Sequence, residues 1–378
     1  MHRSEMDRRD FLKLGMVAGT VTLMASLMPG FSLADARKIT LEECLGMTPE
    51  QMAGNSKVVM DSWEYLQTTA VSISDLRVRG IVLDILNNPA PTFVAPILSG
   101  NARQAIWEEL KAKALLDGVP LEEFLPAVQD PAKSPQPFFS APGSGYFSHH
   151  AYPGGVVTHT ALNVKVSLAL YDSYRETYGF ELNRDVIVAS QMLHDLHKAW
   201  VFQWRNDGAS RTELTLAGTG EHHCYSIAES IYRGLPPEIC VAQACAHNHP
   251  GSPKDESDPV NWIKAASILA GVNPIEKGFL DKKGDTLPSP RRVENFVCHL
   301  GDHDWVVTVP AVKWLLPEIQ SIAAKRYKMT DEDLKGKKFH SFRNYVFSRA
   351  TAMGLYQLWC AGGSDALTGT VESLVVPA

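Results

Sequence analysis

Histidines are concentrated in one stretch of this sequence, and their spacing suggests a metal centre. The chain has 13 histidines, and nine of them lie between residues 149 and 249. Neutral imidazole is a common ligand for transition metals, and a carboxylate can bridge two such ions. The candidate metal ligands are His159, His194, Asp195, His223 and His247.

Two groups of neighbouring histidines leave a choice between ligands. We prefer His223 over His222 because two later isoleucines lie on its side of the predicted helix, which makes that side the inward face. We prefer His247 over His249 because it lies closer to the preceding helix. Three further histidines are expected to be polar residues at the rim: His149, His150 and His197.

Lys198 and Asp195 are the candidate catalytic residues. Lys198 follows His194 by four residues, so both lie on the same helical face, and the lysine could contact a phosphate oxygen. Asp195 is expected between two ions. Two ions about 4 Å apart can deprotonate a shared water and neutralise phosphoryl oxygens during an in-line displacement.

These residues must be positioned by helices, because strand signals are sparse along the chain. The apolar spacing predicts an all-α fold. Asn101 is the expected cap of an early helix. Helices around the site are predicted over residues 156–172, 184–200, 221–234, 236–248 and 260–270, and two longer ones over 310–328 and 339–360.

The predicted domain organisation has five parts. A stretch rich in Pro, Ser and Gly is the best candidate for a boundary. The parts are a signal over residues 1–34, a helical region over 35–128, a loop or linker over 129–146, a metal-binding domain over 147–275 and a helical extension over 276–378.

The ordered histidines resemble the HD-domain metal-dependent phosphohydrolase superfamily. The motifs are GGVVTHT at residues 154–160 and MLHDLHK at residues 192–198. His223 follows His194 by 29 residues, and His247 follows His223 by 24. The resemblance covers about residues 145–275. It implies a helical bundle with added N- and C-terminal helices, hydrolysis of a small phosphorylated substrate, and one or two divalent ions (Mn, Fe, Zn, Ni, Co or Mg).

One position departs from the pattern that the resemblance implies. The superfamily usually closes the metal site with an aspartate on a later helix, but the matching place reads Ala-Gly-Val around Gly271. Asp258, Asp302 or Asp304 could replace it. Without a replacement, we expect closer to one bound ion per chain than two.

The N-terminal segment has the layout of an export signal. Arg8 and Arg9 precede Phe-Leu-Lys, and no charged residue occurs from Leu14 to Ala34, where small residues offer cleavage sites. The paired arginines resemble the twin-arginine type, which implies a periplasmic protein and the twin-arginine translocation machinery as a partner. The alternative is an uncleaved membrane anchor.

Composition limits the remaining functional classes. The net charge is -6 and no long basic stripe follows the N-terminal segment, so DNA is not an expected partner. The six cysteines form no Cys-x-x-Cys motif, and we predict mostly free, buried thiols. Nothing in the sequence indicates an oligomeric state.

The predicted function is an exported metal-dependent phosphohydrolase. Two alternatives remain open. The same helical scaffold could hold a di-iron centre for oxygen-dependent cleavage, or the chain could be a non-catalytic metal- or ligand-binding protein.

Overall fold

The computed structural model of the chain describes residues 38–145 and 148–377. Within these residues the regular elements are helices, apart from one short hairpin, so the predicted all-α class is confirmed. The predicted export signal lies outside the described residues. None of the described helices combines the length and the apolar character that crossing a bilayer requires.

Five helices form the N-terminal region. Thr40 and Thr48 begin the first two with reciprocal side-chain and backbone hydrogen bonds. The cap of the fifth helix is Ser99, whose hydroxyl accepts a hydrogen bond from the Ala102 amide, so the prediction of Asn101 is wrong. These helices are α1 Leu41–Gly46, α2 Pro49–Gly54, α3 Lys57–Val71, α4 Leu76–Asn87 and α5 Gly100–Ala112.

The central helices follow two short 3-10 helices, Thr92–Ile97 and Phe138–Ser140. An antiparallel hairpin, β1 Thr215–Leu216 and β2 Thr219–Gly220, leads directly into the helix that begins at Glu221. The helices are α6 Gly155–Tyr178, α7 Arg184–Leu193, α8 Lys198–Val201, α9 Glu221–Tyr232, α10 Pro237–Ala244, α11 Pro253–Leu269 and α12 Val293–Gly301.

Two of the predicted helices are interrupted. The helix expected over 184–200 ends at Leu193, and a turn over residues 194–197 separates it from α8. The helix expected over 339–360 is broken at Thr351, whose φ of 56° is incompatible with a right-handed helix. The C-terminal elements are α13 Trp305–Tyr327, a 3-10 helix Asp333–Lys335, α14 Lys337–Ala350 and α15 Ala352–Leu374.

The apolar core is shared by the N-terminal and central helices. One cluster of buried side chains runs from Leu66 through Phe138 to Cys298, and a second joins Cys44 to α13, α14 and α15. The domain boundaries given by the sequence stay predictions. All six cysteines are free and five of them are buried, which agrees with the prediction of mostly free, buried thiols; Cys360 is exposed.

Candidate metal centre

The ends of several helices converge on one buried group of histidines and aspartates. His159 lies in the second turn of α6, and His194 and Asp195 lie in the turn that ends α7. His222 begins α9, and His247 follows the end of α10. Helix ends are suited to this task because several side chains can reach one centre without crossing a helix barrel.

A glycine at the start of α6 allows the preceding turn to pack against the helix. A Cβ placed on Gly155 would lie 1.7 Å from the carbonyl oxygen of His150, so no other residue fits there. Gly154 before it has a φ of 87°, in the left-handed region that favours glycine. This close approach brings His149 and His150 beside His159.

Asp195 lies between two groups of histidines, and each of its oxygens faces a different group. Oδ2 lies 3.1 Å from Nε2 of His159 and 3.2 Å from Nε2 of His194. Oδ1 lies 3.3 Å from Nε2 of His222 and 3.4 Å from Nε2 of His247. This is the arrangement expected of a carboxylate that bridges two cations.

Asp302, which follows α12, completes the first group. Its Oδ1 lies 3.1 Å from Nε2 of His159 and 3.3 Å from Nε2 of His194, and its Oδ2 lies 3.5 Å from Nε2 of His247. The Asn163 amide donates a hydrogen bond to Oδ1 over 2.7 Å and fixes the carboxylate. The acid missing near Gly271 is therefore supplied from beyond the predicted boundary at residue 275.

The spacing of these atoms fits bound metal ions. With metal–ligand bonds of about 2.1 Å, neighbouring ligand atoms lie about 3.0 Å apart in an octahedron and about 3.4 Å apart in a tetrahedron. The nitrogen–oxygen distances from Asp195 and Asp302 run from 3.1 to 3.5 Å. Nε2 of His194, Nε2 of His222 and Oδ1 of Asp195 are buried without a hydrogen-bond partner, while Oδ2 of Asp195 faces the Lys198 ammonium group at 2.5 Å. Buried polar atoms are normally satisfied by a partner, and a bound cation would satisfy these.

The other ring nitrogen of two histidines is held by a neighbouring group. Nδ1 of His159 lies 2.9 Å from Oδ1 of Asp304, and Nδ1 of His194 lies 2.7 Å from the Gln191 carbonyl oxygen. An acceptor at Nδ1 selects the tautomer in which Nε2 carries the free lone pair. In both histidines Nε2 is the atom that faces Asp195.

The second group contains both histidines of the neighbouring pair. His222, His223, His247 and Asp195 each offer a ligand atom within 4.8 Å of the others. The rings of His223 and His247 stack at 3.4 Å. Of the two neighbours, His222 is the one with a direct contact to Asp195, at 3.3 Å, and its Nδ1 lies 2.6 Å from Oε2 of Glu213. The geometry favours His222, a residue that sequence reasoning placed beside the site, while the choice of His223 stays a prediction.

Glu213 is expected to be a positioning residue for His222. The Glu213→Gln variant weakens the acceptor at Nδ1, and we expect metal affinity to fall by about 10- to 100-fold while the fold is kept. Metal titration by calorimetry measures this loss, with the exposed Glu181→Gln as a matched control. An unchanged affinity would show that His222 needs no such orientation or is not a ligand.

The charges of the site keep its carboxylates ionised. Burial opposes ionisation of Asp195, but the charges of His194 and Lys198 hold its pKa well below the usual range. Burial likewise opposes ionisation of Asp302, whose pKa is held low by His194 and His159. The same carboxylates raise the pKa of His194 to about 9 against the effect of burial. The buried cluster therefore presents anionic oxygens to a cation.

Lys198 lies at the boundary between this cluster and a large cavity. Its ammonium group lies 2.5 Å from Oδ2 of Asp195, and the side chain lines a cavity of about 1000 Å³. His159, Asp302 and His247 line the same cavity, which opens to solvent. A molecule in the cavity would therefore meet the histidines, the carboxylates and the lysine together.

The three histidines expected at the rim have different positions. His149 lines the cavity, while His150 is buried and lies 3.4 Å from Asp304. These two and His159 form a further group whose ligand atoms lie within 4.8 Å of one another. His197 is buried away from the cluster, 3.9 Å from Glu229 and against aromatic rings.

Part of the chain is similar to a phosphodiesterase of known substrate. It is 34% identical over 106 residues to the dihydroneopterin 2',3'-cyclic phosphate phosphodiesterase of Methanocaldococcus jannaschii. The match covers 26% of this chain and 39% of the relative, so the chain spans about two fifths of the length of the relative it matches. No protein-family model matches the chain, and no solved structure matches it. At a coarse level, the similarity supports a hydrolase of phosphoester bonds.

Proposed function

We propose that this chain is a metal-dependent phosphodiesterase with two divalent cations held on either side of Asp195. The observation that carries the proposal is the position of Asp195, whose two oxygens face separate histidine groups at distances that fit metal coordination. His159, His194 and Asp302 would hold one ion, and His222 and His247 the other, with His223 as the alternative ligand.

Divalent cations bound here would supply an activated water and would neutralise the phosphoryl oxygens. The protein contributes orientation and charge. Asp304, Gln191 and Glu213 fix the imidazole rings, so little reorganisation is needed when ligands bind. The ionised carboxylates balance part of the positive charge of the cations, and the positive charge that remains can attract an anionic ester.

Lys198 would bind the ester beside the cations. Its ammonium group lies 2.5 Å from Oδ2 of Asp195, and an ammonium group has three donors, so donors remain for a phosphoryl oxygen. The lysine is almost fully buried and lines the cavity, where a charged donor acts more strongly than in water. Asp195 holds the ammonium group in place.

The type of ester is inferred from the relative. The phosphodiesterase from Methanocaldococcus jannaschii acts, by its name, on a cyclic 2',3'-phosphate. A cyclic diester presents one negative charge and two ester oxygens on neighbouring carbons, and its opening needs one water. A centre that binds the phosphoryl oxygens through cations and Lys198 is suited to this reaction.

The experiment is a hydrolysis panel with the full-length protein loaded separately with Mn, Fe, Co, Ni, Zn or Mg. The panel contains 2',3'-cyclic phosphates, linear diesters and monoesters, each with and without oxygen. We expect cyclic diesters to be opened in the absence of oxygen and chelation to abolish the activity. His249→Ala, outside the metal groups, is the matched control. A protein that holds metal but cleaves none of the esters, or that needs oxygen, would contradict the proposal.

We also propose that residues 1–34 direct export of the folded protein to the periplasm. The paired arginines and the charge-free stretch that follows support this proposal. Changing both Arg8 and Arg9 to lysine is expected to retain the protein in the cytoplasm, measured by cell fractionation. The matched control is Lys13→Arg. Normal export of the double variant would contradict a twin-arginine signal.

A further inference from the structure

Trp305 is a half-exposed tryptophan on the wall of the cavity at the candidate metal centre. It is the first residue of α13, its side chain is 45% exposed, and it lines the cavity together with Asp302. Large aromatic side chains gain free energy from burial, so an exposed tryptophan at a cavity often serves binding.

The turn that carries Trp305 is fixed by the metal centre itself. Asp302 accepts a hydrogen bond from Asn163 and faces His159 and His194, while Asp304 lies 2.9 Å from Nδ1 of His159. Trp305 follows these two acids directly in the chain. The backbone of Trp305 is therefore held beside the cavity, because moving it would displace both acids.

The cavity has further flat surfaces. Trp262 lines it and packs edge-on against His223 and His247, at 5.7 and 6.3 Å between ring centroids. His299 lines it as well. A volume of about 1000 Å³ is far more than a phosphate group fills.

We propose that the cavity binds the planar heteroaromatic part of a phosphoester, stacked on Trp305, while the phosphate lies at the metal centre. The substrate class is then a cyclic phosphate of nucleotide size that carries a purine- or pterin-like ring. This inference rests on the proposed function and deepens it. Stacking of a base on an aromatic side chain accounts for about 10- to 100-fold in affinity.

A protein interface is the competing role for Trp305. Val306 and Val307 beside it are also exposed, so the start of α13 carries some apolar surface. Neither valine lines the cavity, whereas Trp305 does, together with the metal-facing residues. The position of Trp305 on the cavity wall favours the ligand.

The test measures binding and needs no turnover. Adenosine 2'-monophosphate and glycerol 2-phosphate are titrated by calorimetry into the metal-loaded protein and into its Trp305→Ala, Trp305→Phe and Trp314→Ala variants. Trp314 is 48% exposed on the same helix and does not line the cavity, which makes it the matched control. The oligomeric mass of each variant is measured by light scattering.

We expect Trp305→Ala to weaken adenosine monophosphate binding by about 10- to 100-fold and to change glycerol phosphate binding by less than about twofold. Trp305→Phe should keep most of the affinity, and Trp314→Ala all of it. Equal effects on both ligands, no effect on either, or a change of oligomeric mass alone would overturn the stacking proposal. Failure of the wild type to bind either phosphate would instead contradict the proposed function, and the stacking proposal with it.

Discussion

Asp195→Asn should remove both bound ions and reduce ester hydrolysis by about a thousandfold or more. The substitution keeps the side-chain shape but takes away the negative charge that faces both histidine groups. Bridging metal ions supply several kcal/mol of transition-state stabilisation, and about 4 kcal/mol corresponds to a thousandfold in rate. Metal content by mass spectrometry and initial hydrolysis rates measure the two losses.

Two further variants separate this effect from general damage. Asp172 lies on the exposed side of α6, so Asp172→Asn should change neither the metal content nor the hydrolysis rate. His194→Ala should lose the first ion and the activity, because it leaves Asp195 in place but removes a ligand. Circular dichroism checks that each variant folds. A folded Asp195→Asn protein with full metal content and full rate would contradict the bridging role.

Asp302→Asn should convert a centre that holds two ions into one that holds a single ion. Asp302 faces His159 and His194 closely, so its loss leaves the first group with two histidines and one oxygen of Asp195. The second group keeps Asp195, His222 and His247. We expect the affinity for the first ion to fall by about 100-fold or more, and the hydrolysis rate with it.

Asp304→Asn provides a graded comparison for this prediction. Asp304 contacts Nδ1 of His159, so it orients a ligand and is not itself part of the first group. Its loss should weaken the first ion by about 10- to 100-fold, the range usual for an orienting partner. Titration of each variant with one metal gives the two affinities. Two tightly held ions in the Asp302→Asn protein would show that the first group does not depend on this acid.

The order of the histidines along the chain made the centre of the site predictable. His159, His194 and Asp195 could be selected because they fall near the ends of consecutive predicted helices and match a known spacing. The structure places His159 and His194 in one group and Asp195 in the other with His223 and His247, and Asp195 also contacts His159 and His194. The ion count stays a prediction; the expectation of closer to one ion applied without a replacement acid, and Asp302 lies with His159 and His194 as a candidate for that replacement.

Asp302 could not be assigned from the sequence because its partners are distant along the chain. It lies 139 residues from Asn163, which holds it, and it follows α12 in a turn that carries no periodic signal. Sequence reasoning could name it only as one of three acids. The contact depends on how α12 packs against α6, which local patterns do not encode.

The choice between His222 and His223 shows a second limit. Helical periodicity gives the direction of a residue to within about one position, since neighbours differ by about 100° around the axis. The two rings lie 4.1 Å apart, and both reach the second group. The feature that distinguishes His222 is Glu213 on the segment before the hairpin, and a contact of this kind is set by tertiary packing.

The break at Thr351 was also hidden from the sequence pattern. Residues 339–360 are rich in aromatic and apolar residues, they contain no proline, and the one glycine among them, Gly354, lies three residues after the break. The Thr351 hydroxyl accepts a hydrogen bond from the Gly354 amide and so begins α15. Threonine is a good helix cap, but it also occurs inside helices, so a threonine alone predicts neither the start of a helix nor its interior.

Anomalous diffraction from a metal-loaded crystal tests most directly whether Asp195 bridges two cations. Anomalous difference maps from data collected on either side of the metal absorption edge locate each ion and identify its element. We predict two peaks about 3.5–4 Å apart, the separation usual in two-metal sites, with one oxygen of Asp195 beside each. The peak nearer His194 should also lie beside Asp302, and the other beside His222 and His247. A single peak, or peaks that leave Asp195 without a contact, would contradict the account.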